Sequence, residues 1–260
     1  MSGVMRVTVC EWDSRPEMLE AQLQALQEHC AMAGSEFVLL PEMPFDDWLS
    51  QNETPDQDRW QLSVQRHLEW IDQLKRLPDC EIVATMPTAD SNGRRHNRGF
   101  VRTLNSGRTD IHDKIHLPDE DGYREARWYH PGIGNFETVE TSRCRLGMLI
   151  CSELWFIEHA RRYGRDGAHL LCVPRATPTL GNDGWMAAGR TAAIVSGSYC
   201  LSSNQTRPYE SGFEMGGCGW VIDPEGAVLA TTTPNTPFVT VDVDLDHSEA
   251  AKLTYPRYIN

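Results

Sequence analysis

The sequence is short of positive charge: 24 lysines and arginines stand against 37 aspartates and glutamates in 260 residues, a formal net charge of −13. Such a surface repels phosphate backbones, which argues against a general affinity for nucleic acid or for an anionic membrane. Long apolar runs are missing too. No stretch approaches the length that spans a bilayer, and Met1 to Val9 has no cationic segment followed by a long apolar one, so a cytoplasmic protein is expected. No two cysteines stand in a C-x-x-C spacing; the eight are scattered at 10, 30, 80, 144, 151, 172, 200 and 218. That scatter is a poor match to structural zinc or to a disulfide framework, and most of these thiols read as small core residues. Self-similarity at a period of about 20 to 50 residues is also absent, which excludes a solenoid or propeller.

What remains is an ordinary globular composition, 40% hydrophobic and 23% charged, long enough for one domain over residues 1–260, with no break that reads as a linker. Met5 to Cys10 alternates as a strand, and Ser14-Arg-Pro-Glu17 reads as an N-cap with a first-turn proline and a capping-box glutamate. Leu19, Leu23, Leu26, Cys30 and Ala33 then form one helical stripe that Gly34 stops. Phe37 to Leu40 is a short buried strand. A second helix over 58–77 carries Trp60, Val64, Leu68, Ile71 and Leu74 on one side and ends before Pro78. Glu81 to Met86 is the next strand.

Turn signals at Ser91-Asn92-Gly93 and Asn105-Ser106-Gly107 separate β-prone pieces, the last running from Thr109 to Leu117, and an irregular stretch from Pro118 to Gly134 follows. Strands are expected at 145–150, 168–173 and 198–203, with helices at 154–163, closed by Gly164, and at 183–195. The end is mostly β: Trp220 to Ile222, a turn at Pro224-Glu225-Gly226, Val228 to Thr231, and the alternation Val239, Val241, Val243, Leu245. The pattern is α/β, a two-sheet core with helices outside.

Three residues stand where an apolar run ends. Cys151, in R-L-G-M-L-I-C-S-E-L-W-F, sits at a strand-to-helix break, where a helix N-terminus behind it favours thiolate over thiol. Glu42 follows F-V-L-L-P, a place where burial makes a carboxylate a candidate general base. Lys114, in I-H-D-K-I-H-L-P, ends another β-prone segment and otherwise reads as an edge-strand gatekeeper. His112, Asp113 and His116 prompt a metal-hydrolase alternative, which Lys114 between them and the want of a third spaced ligand weigh against.

In the order Glu, Lys, Cys, the segments F-V-L-L-P-E-M-P-F, D-K-I-H-L-P-D and L-G-M-L-I-C-S-E-L-W-F resemble the nitrilase, or carbon-nitrogen hydrolase, superfamily. G-Y-R-E-A-R-W-Y-H-P-G resembles the segment that supplies a second glutamate, here Glu125, and G-G-C-G-W-V-I-D-P-E-G-A-V-L-A resembles the late hairpin. With 185–204 also similar, the resemblance covers nearly the whole chain. It implies a single-domain four-layer α-β-β-α sandwich that assembles into dimers or larger oligomers. The stretch after Leu245 is short, so the long C-terminal arm that some members exchange is expected to be missing.

The resemblance also implies chemistry without metal or cofactor. Glu42 is the base, Cys151 the nucleophile, Lys114 with the backbone N–H of Ser152 the oxyanion donors, and Glu125 the residue that orients Lys114 and the substrate nitrogen. Trp48, Trp155 and Ser152 are candidate pocket residues, with core packing as the alternative for the two tryptophans. W-F after the nucleophile, H-L-P-D and G-Y-R-E are similar to carbamoylputrescine-type amidohydrolases. Arg175, in V-P-R-A-T-P at a strand end, is a candidate for binding a substrate carboxylate, or else for an ion pair with a nearby acid.

Three positions depart from the family pattern: Ser152 where true nitrilases commonly have tryptophan, Ile157 where proline is frequent, and Gly219 where a small hydroxyl residue is common. The expected substrate is therefore a small amide or N-carbamoyl compound before a nitrile. A non-catalytic binding or regulatory member is the remaining alternative.

Overall fold

The structure is a computed structural model that describes residues 3–259 except 78, 104–106, 135 and 208–213. The first half of the chain runs β1 (Val4–Trp12), α1 (Leu19–Ala33), β2 (Phe37–Leu39), α2 (Gln57–Gln73), β3 (Glu81–Ala89), β4 (Arg95–Thr103) and β5 (Gly107–Asp113). A four-residue helix, α3 (Glu125–Trp128), interrupts the segment that precedes β6 (Val139–Glu140) and β7 (Arg145–Met148). Then come α4 (Ile157–Arg165), β8 (Leu170–Arg175), α5 (Asn182–Ser196), β9 (Tyr199–Gln205), β10 (Trp220–Ile222), β11 (Val228–Thr231), β12 (Phe238–Asp244) and α6 (Leu245–Lys252).

The strands form two six-stranded halves joined through β1. Residues 4–10 of β1 lie between β2, parallel, and β12, antiparallel, and the first half continues outward through β3, β4 and β5. Glu11 and Trp12 then pair in parallel with β9, the centre of the second half, which runs through β8 and β7 to β6 on one side and through β10 to β11 on the other.

Because successive strand residues face opposite ways, neighbours go to different layers. Leu39, Val7, Val9, Val83 and Val101 pack against Leu146, Met148, Leu170, Cys172 and Leu201 between the sheets. Val38, Leu40, Ile82 and Ala84 face outward onto Leu19, Leu23 and Leu26 of α1 and Ile71 of α2. Leu171, Val173 and Ile222 face outward onto Ala160 and Tyr163 of α4 and Ala192 and Ala193 of α5. Three apolar layers between four layers of secondary structure make the α-β-β-α sandwich that the sequence resemblance implies. Among the described residues no helix is long and apolar enough to cross a membrane.

Several local expectations need correction. Gly34 does stop α1, in the left-handed region at φ 64° where a side chain is strained. Ser14, however, is not a cap: Arg15 occupies the cap position of a short 3-10 turn, without a side-chain cap bond, and Ser14 Oγ donates instead to Gln205 Oε1 at 2.9 Å. On α2 the buried stripe is Trp60, Ser63, His67 and Ile71, while Leu68 is exposed. The polar members are satisfied locally: His67 Nδ1 lies 2.8 Å from the Ser63 carbonyl, and the ring packs edge-on against Phe45.

Gly164 lies inside α4, not beyond it, and its absent side chain is explained by packing, since a Cβ there would sit 2.3 Å from the Ser196 carbonyl. Leu245 does not continue the β alternation. It opens α6, capped by Asp244, whose side chain accepts the Asp246 N–H. Pro78 and the pair Asn105-Ser106 lie outside the described residues.

Candidate active site

Glu42, Lys114, Glu125 and Cys151 come from four separate segments, each held by backbone constraints that are visible one by one. Glu42 lies three residues past β2; its N–H donates to the Arg175 carbonyl at 3.3 Å, and Gln205 Nε2 donates to the Glu42 and Met43 carbonyls at 2.6 and 3.1 Å. Met43 has φ 48°, a left-handed conformation for a side-chain-bearing residue, and Thr85 Oγ1 accepts its N–H at 2.7 Å. Lys114 is the first residue after β5, with its N–H on the Asn97 carbonyl at 2.9 Å. Glu125 is the first residue of α3.

Cys151, three residues past β7, has φ 49° and opens a five-residue 3-10 turn; the helix expected from Leu154 starts at Ile157 as α4. Cys151 and Met43 are the two non-glycine residues with positive φ among the described residues. Strain of this kind concentrates at functional sites.

The side chains converge. Lys114 Nζ donates to Glu42 Oε1 at 2.8 Å and to both oxygens of Glu125 at 2.7 and 2.8 Å. Asn97 Nδ2 adds a second donor to Glu42 Oε1 at 2.7 Å, and Glu42 Oε2 is buried with no hydrogen-bond partner among the described residues. Glu42 and Lys114 are 0% exposed, Glu125 1% and Cys151 6%. Met43, next to Glu42 in sequence, packs with Trp48, Trp128, Tyr129, Ala176 and Met215 in one apolar cluster, while Cys151 packs into the core between the sheets.

One cation facing two carboxylates in a buried site sets the protonation states. Burial alone would pull Lys114 down, but Glu125 and Glu42 more than reverse this and hold it above its ordinary value, so it is an ammonium. Burial pushes Glu125 up to about 7, with Lys114 opposing and Glu42 reinforcing. Cys151 departs from the expectation of a favoured thiolate: burial, and then the charge of Glu42, pushes the thiol well above its usual value against the pull of Lys114. The backbone N–H of Ala176 also faces the sulfur. These causes together favour the protonated thiol over the thiolate.

The remaining candidates lie around this cluster. Trp48 is buried and ties the Glu42 loop to the 118–134 segment, its Nε1 donating to the Gly122 carbonyl at 3.0 Å and its ring lying 6.2 Å from Tyr123. Ser152 Oγ donates to the His116 carbonyl at 2.5 Å, joining the Cys151 turn to the Lys114 segment. Trp155 is 52% exposed and packs on Trp185 with ring centroids 4.8 Å apart.

Arg175 is fully buried and forms no ion pair within 4 Å among the described residues. Its Nε and Nη1 donate to Ser202 Oγ at 2.8 Å and Thr177 Oγ1 at 3.0 Å, and its Nη2 donates to the Cys218 carbonyl. The guanidinium lies 4.0 Å from the Trp220 ring centroid and 5.5 Å from that of Trp185. All three nitrogens are thus engaged by neutral acceptors. The histidines that prompted a metal alternative separate: His112 bonds to Glu153, and His116 Nε2 lies 2.9 Å from His159 Nε2.

Sequence reasoning missed three residues of this neighbourhood: Asn97, Gln205 and Glu153. Asn97 offered no signal beyond being a polar residue at an inward strand position. Glu153 offered one, an acid two residues after Cys151 in an otherwise apolar run.

Residues 6–253 match the family model described as carbon-nitrogen hydrolase. Human omega-amidase NIT2 is 32% identical over 138 residues, 51% of this chain and 50% of that protein, and the chloroplastic omega-amidase of Arabidopsis thaliana is 31% identical over 154 residues, 56% of this chain and 41% of that one. The chain spans about half the length of the curated relatives it matches. Among solved structures, the carbon-nitrogen hydrolase of Helicobacter pylori G27 superposes with a TM-score of 0.87 at 22% identity, covering 98% of this chain and 94% of that one. A mutant of the amidase from Nesterenkonia sp. AN1, with the acetamide moiety of fluoroacetamide covalently added at its active-site cysteine, gives a TM-score of 0.75 at 19% identity, covering 94% and 92%. Sequence match and shared sandwich agree: this chain belongs to the carbon-nitrogen hydrolase family.

Proposed function

We propose that this protein is an amidase-type hydrolase that breaks the non-peptide C–N bond of a small amide or N-carbamoyl substrate and releases ammonia, with Cys151 as nucleophile. The observation that carries the proposal is the buried ammonium of Lys114 bridging Glu42 and Glu125 beside a thiol that burial and Glu42 hold toward its protonated form.

In this mechanism Glu42 Oε2, the carboxylate oxygen without a partner, takes the Cys151 proton as sulfur attacks the carbonyl carbon. The electron pair of the C=O moves to oxygen, where Lys114 and the Ser152 backbone N–H receive the charge. The intermediate collapses with cleavage of the C–N bond, and Glu42 returns its proton to the departing nitrogen, leaving a thioester. Glu42 then deprotonates a water that attacks the thioester; the second intermediate expels the thiolate, which takes the proton back. Glu125, bidentate on Nζ, keeps Lys114 aimed throughout.

The names of the omega-amidase relatives and of the Nesterenkonia amidase support amides as the substrate class, and the serine at position 152 supports amides over nitriles. The test is an ammonia-release screen over primary amides, N-carbamoyl amines and amino acids, and nitriles, with Cys151→Ala as the control. Release is expected from members of the first two groups and to be lost in the control. Release from nitriles alone would contradict the proposal.

A further inference from the structure

Glu153 is fully buried two residues after the nucleophile, and no step above uses it. Its carboxylate is nonetheless filled with donors. Oε2 accepts the Ile150 N–H at 2.7 Å and Oε1 the Ile115 N–H at 2.7 Å, while His112 Nε2 lies 2.8 and 3.0 Å from the two oxygens. Ile150 is the residue before Cys151, and Ile115 is the residue after Lys114. One carboxylate therefore joins the backbones on which the thiol and the ammonium are mounted.

His112 completes the bracket from β5, two residues before Lys114, with its ring 4.9 Å from Phe136. Burial would raise Glu153, but His112 and the two backbone donors outweigh it and hold the group below the ordinary carboxylate range. The donors thus favour the anion, as a clamp requires.

The turn it clamps is the one that needs clamping. A cysteine at φ 49° is strained and persists only where its surroundings over-determine it. The Ile150 N–H bond to Glu153 enters that turn directly, and the Ile115 bond refers it to Lys114.

We propose that Glu153, held by His112, is a positioning residue for the reaction: it keeps the strained Cys151 turn in register with Lys114, so that the nucleophile and the oxyanion donor hold their spacing. The proposal rests on the hydrolase reading of the site. The competing role is stability alone.

Glu153→Gln keeps the shape but loses the charge and sets an NH2 group against one of the two backbone donors. His112→Gln retains an N–H donor for the carboxylate and serves as the conservative variant. With a primary amide as substrate, Glu153→Gln is expected to lower kcat about 100-fold and to leave KM within about threefold, as a displacement of reacting groups does. His112→Gln is expected to stay within about fivefold of wild type. A folded Glu153→Gln protein with wild-type kcat and only a lower Tm would overturn the proposal.

If that variant does not fold, His112→Leu carries the test, with a kcat loss of about tenfold at unchanged KM expected and wild-type kcat overturning it. If wild type hydrolyses no amide, the functional reading fails by itself, and alkylation of Cys151 by iodoacetamide then tests the clamp. Slower alkylation in Glu153→Gln is expected there, and equal rates overturn it.

Discussion

Glu42→Gln is expected to fold like wild type and to lose about 1,000- to 10,000-fold in kcat, the upper range for removal of a general base. Two facts set the size. The Cys151 thiol is held well above its ordinary value by burial and by Glu42, which disfavours the thiolate and makes a base the route to it. Glu42 Oε1 is saturated by Lys114 and Asn97, and its other oxygen is free to accept a proton. Glutamine preserves the first oxygen and replaces the second with an NH2 group, which accepts nothing. Steady-state kinetics on the best amide of the screen, with Tm to verify folding, makes the measurement. A variant within tenfold of wild type would remove Glu42 as the base.

Lys114→Met has the second large effect, and it acts on both rate and stability. Loss of an oxyanion donor costs about 100- to 1,000-fold in kcat. Two buried carboxylates then face each other without a cation, and breaking a buried pair in this way costs about 3–5 kcal/mol.

The pH dependence follows from Glu125. Its folded-state value is raised from 4.5 to about 7, so its contribution to stability is present below 4.5 and is lost as pH rises through about 7. Without Lys114, whose charge opposes protonation of Glu125, that carboxylate binds a proton still more tightly. The Tm deficit of Lys114→Met relative to wild type is therefore expected to be largest above pH 7 and to shrink as pH falls toward 4.5. Thermal melts of both proteins from pH 4.5 to 8 check this, and a deficit that does not vary with pH would contradict the assigned protonation states.

These effects depend on contacts that sequence periodicity reaches only in part. The stripe Leu19, Leu23, Leu26 and Cys30 and its stop at Gly34 were legible because they depend on one helix and the sheet beneath it. Ser14 was misread as a cap because its hydroxyl is claimed by Gln205, 191 positions away, a contact that no local rule contains. Leu68 reads as core by hydropathy and is exposed, since His67 can be buried once Ser63 supplies a carbonyl one turn back. The α6 start was legible in principle: Asp244 before an acidic first turn is a cap signal, but the valine alternation leading into it dominated.

The site shows the same division. Glu42, Lys114, Glu125 and Cys151 were found by motif and position, and the structure brings the first three into direct contact. Their electrostatics was not legible. A residue at the end of a strand suggests a helix dipole behind it, whereas the depth of burial that reverses the thiol's preference comes from the core between the sheets, where Cys151 packs with residues of distant strands such as Cys172 and Leu201. Asn97 was invisible for the same reason: its importance lies in which carboxylate oxygen it fills.

The central claim is that Cys151 carries the acyl group. The direct measurement is peptide mass spectrometry of wild type acid-quenched during turnover of a primary amide, with Cys151→Ala assayed alongside. The account predicts an acyl mass on the peptide containing Cys151, on none of the other seven cysteines, and no turnover by the variant. Acylation at a different cysteine, or turnover by Cys151→Ala at the wild-type rate, would contradict it.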